Sequence, residues 1–117
     1  MKNDIKISVI IPVYNQELYI SRCLRSLFSQ KFSSKNYEII VIDDGSNDQT
    51  KDILNKYKDD ITIIKNTKNK GLPFCLNSGI RAAKGNYIVR VDSDDYVNTN
   101  FLSILYLFLE ENRIIDA

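Results

Sequence analysis

The sequence predicts an α/β fold with a mostly parallel sheet flanked by helices. Three observations lead there. Four short runs rich in Ile and Val, at residues 5–13, 37–43, 61–64 and 87–91, read as strands buried in a sheet. Segments with apolar residues at helical spacing lie between and after them. The two kinds alternate, β-α-β-α-β-α-β-α, which implies parallel pairing through right-handed crossovers.

The first run, residues 5–13, is apolar on both faces, as a strand covered on both sides requires. Pro12 has no amide hydrogen, so the strand should end near it. Residues 17–30 follow as a helix with Leu18, Cys23, Leu24, Leu27 and Phe28 on one face. Asn15 is the candidate N-cap, with Gln16 or Glu17 as alternative starts. In the second strand, residues 37–43, Ile39, Ile40, Val41 and Ile42 are core candidates, and Asp44-Gly45-Ser46 ends it. Residues 47–58 read as a helix carrying Ile53, Leu54 and Tyr57, with Ser46 or Asp48 as its cap. The third strand, residues 61–64, leads into a polar, basic loop at 65–71. Residues 72–84 form a helix with Leu76, Ile80 and Ala83 as core candidates, Pro73 in its first turn and Gly85 as its stop. After the fourth strand, residues 98–112 form a helix with Phe101, Leu102, Leu105, Phe108 and Leu109 inward. Ile114 and Ile115 read as the opening of another strand.

A chain of 117 residues is one domain or part of one, and no linker divides residues 1–117. The 44% hydrophobic and 26% charged shares are ordinary for a globular chain. A net charge of +1 gives no electrostatic case for nucleic acid or an anionic membrane. No apolar run reaches the roughly 20 residues that span a bilayer. Residues 1–4 lead straight into a strand, so no signal peptide is expected. Cys23 and Cys75 sit far apart in helical segments and read as reduced, buried thiols of a cytoplasmic protein. Histidine is absent, which excludes His-based triads, His metal sites and His acid/base chemistry from this chain.

In a parallel sheet the carboxyl ends of the strands share one edge, and open sheets bind ligands there. The four strands are followed by Val13-Tyr14-Asn15, by Asp43-Asp44-Gly45-Ser46, by the Lys/Asn loop, and by Asp92-Ser93-Asp94-Asp95. The last cluster is the most informative. Its carboxylates repel one another, and such a cluster is tolerated when a cation or a row of hydrogen-bond donors compensates it. Hard oxygen ligands select Mg2+ or Mn2+ over Zn2+. An ion held by one or two carboxylates completes its shell with water and substrate phosphates. In isolation the cluster fits a solvated acidic turn equally well. Two acidic clusters, a basic loop and an aromatic side chain converging on one edge favour a metal- and phosphate-dependent site.

Taken in order, Ser8-Val9-Ile10-Ile11-Pro12-Val13-Tyr14-Asn15, Val41-Ile42-Asp43-Asp44-Gly45-Ser46 with Asp48 and Thr50, Asn69-Lys70-Gly71, Asn77-Ser78-Gly79 with Gly85, and Asp92-Ser93-Asp94-Asp95 resemble a known series. They are similar to the N-terminal half of family 2 glycosyltransferases, inverting enzymes with the Rossmann-like GT-A fold. The resemblance implies a truncated GT-A domain that holds a nucleotide-diphospho-sugar, with a UDP-sugar favoured. Pro12, Tyr14 and Asn15 would wall the nucleobase, the Tyr14 ring stacking on it. Asp44 would accept the imide N–H of uracil. Asp43 would brace the turn or exchange roles with Asp44, and Gly45 would supply an unusual backbone conformation. Asp92 and Ser93 join the donor side, Asp92 at the ribose or a metal-bound water. Asp94 would ligate Mn2+ or Mg2+ directly, and Asp95 would orient it or cap the next helix. The metal neutralises the departing nucleoside diphosphate. Lys68 and Lys70 either add charge there or are solvated, and Asn77 either reaches the site or is exposed. Arg90 departs from the family's apolar residue and marks an edge or a paired charge.

Inversion also needs a general base. The resemblance places it downstream of Ala117; Glu110, Glu111 and Asp116 match no base motif, so no catalytic residue is assigned in this chain. Donor binding, not turnover, is therefore expected of the chain alone. The other expectations are a glycan or lipid-linked acceptor in polysaccharide biosynthesis, a place at the inner face of the membrane, and self-association through an unpaired sheet edge. The alternative is a non-catalytic nucleotide-binding or assembly module that kept the fold. A receiver domain needs an acidic pair after the first strand, and a nucleotidyltransferase a Gly-rich basic loop there. Val13-Tyr14-Asn15 supplies neither.

Overall fold

The computed structural model describes residues 4–112. Its sheet is wholly parallel, formed by β1 (Ile7–Val13), β2 (Tyr37–Asp43), β3 (Thr62–Lys65) and β4 (Tyr87–Arg90) in the order β3-β2-β1-β4. The helices are α1 (Ile20–Phe28), α2 (Thr50–Asn55), α3 (Leu72–Ala82) and α4 (Phe101–Asn112). The chain builds outward from β1 to β3 and then crosses back to lay β4 on the other side of β1. That reversal is a topological switch point, where crevices open beyond the strand ends.

The central strands read as unbroken Ile/Val runs because both faces are covered. Ile7, Val9, Ile11 and Val13 of β1 join Ile39 and Val41 of β2 in one core with α1, Leu54 of α2 and Leu102 of α4. Ile10, Ile40 and Ile42 point the other way and meet Cys75 of α3. Fully burying each such Ile stabilises the fold by roughly 1.5–3 kcal/mol. α3 approaches closely because Gly79 has no side chain: a Cβ there would lie 2.7 Å from Ile10 Cγ2.

α3 starts at Leu72 as expected, with Pro73 in its first turn, whereas α1, α2 and α4 start later than expected. α1 begins at Ile20, because residues 17–19 form a turn closed by the amides of Tyr19 and Ile20 on Gln16 O. Leu18 lies on that turn and is 81% exposed. Asn15 does not cap α1; its φ is +50° and its side chain bonds Asn47. Asp48 Oδ1 accepts from Thr50 N, so α2 starts at Thr50, while Ser46 Oγ is used elsewhere. On α3 the buried residues are Cys75 and Gly79, and Ile80 is exposed. α3 ends at Ala82, and Gly85 instead docks its amide on Ser8 Oγ. On α4 Leu102 is buried, whereas Phe108 faces outward. Phe28 also lies at the surface, its ring 5.6 Å from that of Tyr57. Ile114 and Ile115 lie outside the described residues. Both cysteines are buried free thiols. Among the described residues no helix is long and apolar enough to cross a membrane.

Candidate functional site

Three loops at the carboxyl edge are fastened into one platform. Asn15, Gln16 and Glu17 present consecutive amides to Ser46 Oγ (2.9 Å), Thr50 Oγ1 (3.0 Å) and Asp48 Oδ2 (3.3 Å). Asn15 and Asn47 exchange two further bonds of 2.8 Å. The loop after β1 is thereby tied to the loop after β2. Gly45 joins the second loop to the third. Its φ is +77°, and a Cβ on it would lie 2.7 Å from the Lys68 carbonyl carbon. A residue with a side chain resists that φ and collides with fixed backbone.

Asp43 and Asp44 end β2 on opposite faces. Asp43 is buried beneath its own turn, and its Oδ1 accepts from Ser46 N at 3.0 Å. Its Oδ2 is buried without a hydrogen-bond partner among the described residues. Asp44 turns toward α3. Its Oδ1 accepts from Lys70 N (2.7 Å) and Asn66 Nδ2 (2.9 Å), and its Oδ2 from Gly71 N (3.0 Å). Burial disfavours the charge on Asp44, but these donors outweigh it and hold the carboxyl below the ordinary range.

The acidic loop after β4 is a tight turn. Asp95 Oδ2 accepts from Asp92 N, and Asp95 N donates to Asp92 O. Asp95 therefore closes the turn, and Asp94 stands exposed on it. Arg90 marks both an edge strand and a paired charge: its Nε and Nη2 reach Asp92 Oδ1 at 3.0 and 2.9 Å. The loop's field is felt beneath it. Burial first, then the charges of Asp95, Asp94 and Asp92, push the Cys23 thiol up to about 12.

A crevice of about 370 Å³ opens between these loops at the switch point. Pro12, Tyr14, Asp44, Asp92 and Ser93 all line it, so the fold brings these expected residues together. Asn15 and Asp43 do not line it; both fasten loops. Asp94 sits on the adjoining turn. Lys70 lies over the Phe74 ring, with Nζ 5.6 Å from its centroid, and Asn77 is exposed on α3. Two contributors went unrecognised in the sequence. Cys75 lines the wall; burial, then the nearby Asp44, pushes its thiol up to about 11. Asn66 braces Asp44 from behind. Asn66 directly follows β3, so the strand-end criterion itself could have singled it out. Nothing in the sequence distinguishes Cys75 from a core thiol.

Among the described residues no group of three or more His, Cys, Asp or Glu side chains is arranged to hold a metal. The oxygen set nonetheless fits a hard ion that takes only one or two protein ligands. Asp94 is exposed, and Arg90 occupies only Oδ1 of Asp92.

A parallel sheet with an acidic crevice at its switch point defines the class of α/β ligand-binding domains that work at the carboxyl ends of their strands. The chain belongs to glycosyl transferase family 2, whose model matches residues 8–117. It is 47% identical over 112 residues to the poly(ribitol-phosphate) beta-glucosyltransferase of Bacillus spizizenii, covering 92% of this chain and 18% of that protein. It superposes on S. aureus TarS 1–349 in complex with UDP with a TM-score of 0.86 at 38% identity, over 93% of this chain and 33% of the other. A mannosyltransferase from Pyrobaculum calidifontis, in complex with GDP-Man and Mn2+, superposes with a TM-score of 0.72 at 26% identity, over 76% of this chain and 27% of the other. The fold is thus the GT-A fold of TarS. The chain spans less than a fifth of the Bacillus relative and about a third of TarS 1–349.

Proposed function

We propose that this chain is the donor-binding part of a metal-dependent, inverting glycosyltransferase that takes its sugar from a nucleotide-diphospho-sugar, with UDP the favoured nucleotide. The crevice carries the reading. An aromatic ring, a buried acid kept ionised and an acidic turn share one cavity at the switch point. The likeness to TarS supports it, since that protein has been seen with UDP and with UDP-GlcNAc.

In this reading Tyr14 and Pro12 flank the base. Asp44 lines the crevice, and as an acceptor-only carboxylate held by Gly71 N and bonded by the Cys75 side chain it would accept the imide N–H of a uracil-type base. Ser93 joins the donor contacts. Asp94, with Asp92, would hold Mn2+ or Mg2+. The cation supplies charge neutralisation for the departing nucleoside diphosphate. The Mn2+ complex of the Pyrobaculum relative supports a divalent ion. The general base belongs to a part of the enzyme beyond the matched region. The acceptor class proposed is a glycan or polyol-phosphate polymer, the kind named for the Bacillus relative, met at the inner face of the membrane.

Calorimetric titration of the 117-residue chain with UDP tests this, in Mn2+ and then in EDTA. Binding should weaken about tenfold or more in EDTA and in Asp94→Ala, as the loss of a charged contact requires. Equal binding in both removes the metal from the reading. A folded chain blind to UDP favours the non-catalytic assembly module instead.

A further inference from the structure

Arg90 has no task in the reading above, yet it is the basic side chain among the residues lining the crevice. It ends β4 opposite Ile10, which puts it on the same face of the sheet as Ile10, Ile42 and α3. Packing does not demand a guanidinium there. β4 is an edge strand, and Ile88, the previous residue on that face, is exposed. The Arg90 and Asp92 side chains are 45% and 52% exposed, and solvent screens a pair of that kind, so it is weakly held. Both of its contacts fall on one oxygen, Oδ1, so the planar fork is not used in its bidentate mode.

The geometry points to Arg90 as a resident counter-cation of the donor site: it holds Asp92 until a divalent cation takes that carboxylate, and it then contacts the diphosphate of the donor. This rests on the donor-site reading and deepens it. A doubly charged ion outcompetes one screened guanidinium for Asp92. The released guanidinium remains in the crevice that receives the diphosphate. Phosphate oxygens suit its planar fork better than a single carboxylate oxygen does. Two opposite effects follow. Arg90 opposes the metal when the metal arrives alone, and it strengthens a nucleotide that brings phosphates.

The test compares wild type, Arg90→Met, Arg90→Lys and Asp92→Asn as 117-residue chains, with circular dichroism as the check on folding. The probes are Mn2+ alone, UDP with and without Mn2+, and uridine, which lacks the phosphates. Arg90→Met should bind Mn2+ alone more tightly and bind UDP at saturating Mn2+ about tenfold more weakly. Uridine binding should not change, and Arg90→Lys should recover part of the UDP affinity. Asp92→Asn frees Arg90 and should raise UDP affinity in EDTA by more than it does in an Arg90→Met background, where only the loss of the carboxylate's repulsion remains. Arg90→Gln is the neutral background if Arg90→Met fails to fold. If wild type binds uridine and UDP and Arg90→Met matches it on UDP and on Mn2+, the role of Arg90 is overturned while the donor site stands. A gain from Asp92→Asn that is no larger with Arg90 present than in the neutral background likewise overturns it. A folded wild type that binds neither uridine nor UDP overturns the donor site and the role of Arg90 together.

Discussion

The amides of Lys70 and Gly71 and the Asn66 side chain converge on Asp44, which is 6% exposed. Such a carboxylate is both a ligand group in waiting and a strut for the loop after β3. Asp44→Asn separates the two. An amide offers one acceptor oxygen and turns an N–H₂ toward donors, so the variant should lose about 2 kcal/mol at neutral pH by denaturant unfolding. The pH dependence has a definite sign. The folded carboxyl sits below its ordinary value, while the unfolded one titrates near about 3.9. Its contribution is complete above that unfolded value and disappears as pH falls through the lower, folded one. The wild type should therefore destabilise on acidification below about pH 4, and Asp44→Asn should lose that part of the slope. Identical pH profiles for the two proteins would count against the strut.

At the scale of elements, the strands and the start of α3 were legible, and the starts of α1, α2 and α4 were not. Continuous Ile/Val runs leave little freedom: residues apolar on both faces belong inside a parallel sheet, and 7–13 and 37–43 lie there. Asn15, Ser46, Asp48 and Thr50 are short polar residues near helix starts, and local rules read some of them as caps. Apart from the local bond of Asp48 Oδ1 to Thr50 N, their side-chain oxygens bond the neighbouring loop, more than 30 residues away. Only the spatial order of the strands brings these loops together, so no local window contains that signal. Much of the crevice was legible for the opposite reason. Pro12, Tyr14, Asp44 and Asp92 stand at strand ends, and a parallel sheet alone sends strand ends to one edge. Gly45 shows what the fastening requires. Gly45→Ala places a Cβ 2.7 Å from fixed backbone at a φ of +77°. It should cost at least about 2 kcal/mol, by strain together with overpacking. UDP affinity should fall with it, because the Asn66–Gly71 loop that grips Asp44 must move. A variant as stable as wild type, with unchanged UDP affinity, would mean that the two loops are not tightly joined.

At the scale of the whole molecule, two surfaces lack cover within the described residues. β4 pairs with β1 on one side and is open on the other, with Ile88 exposed on it. α4 turns Ile104, Leu107 and Phe108 outward at 64%, 61% and 59% exposure. An open edge strand and an apolar helix face both favour association, the first by strand pairing and the second by burial. The α4 face contributes none of the crevice residues, so association through it and nucleotide binding should be separable, whereas β4 carries Arg90, which lines the crevice. The 117-residue chain is therefore expected to run above its monomer mass in size exclusion with light scattering, increasingly so with concentration. Leu107→Lys with Phe108→Lys should return it toward the monomer, because charges on that face oppose burial against a second copy. UDP affinity should stay as in wild type, since both substitutions lie on the outer face of α4. A wild type that is monomeric at all concentrations would show that the α4 face tolerates water without a partner. A double variant that is monomeric but has lost UDP binding would show instead that association helps to build the crevice.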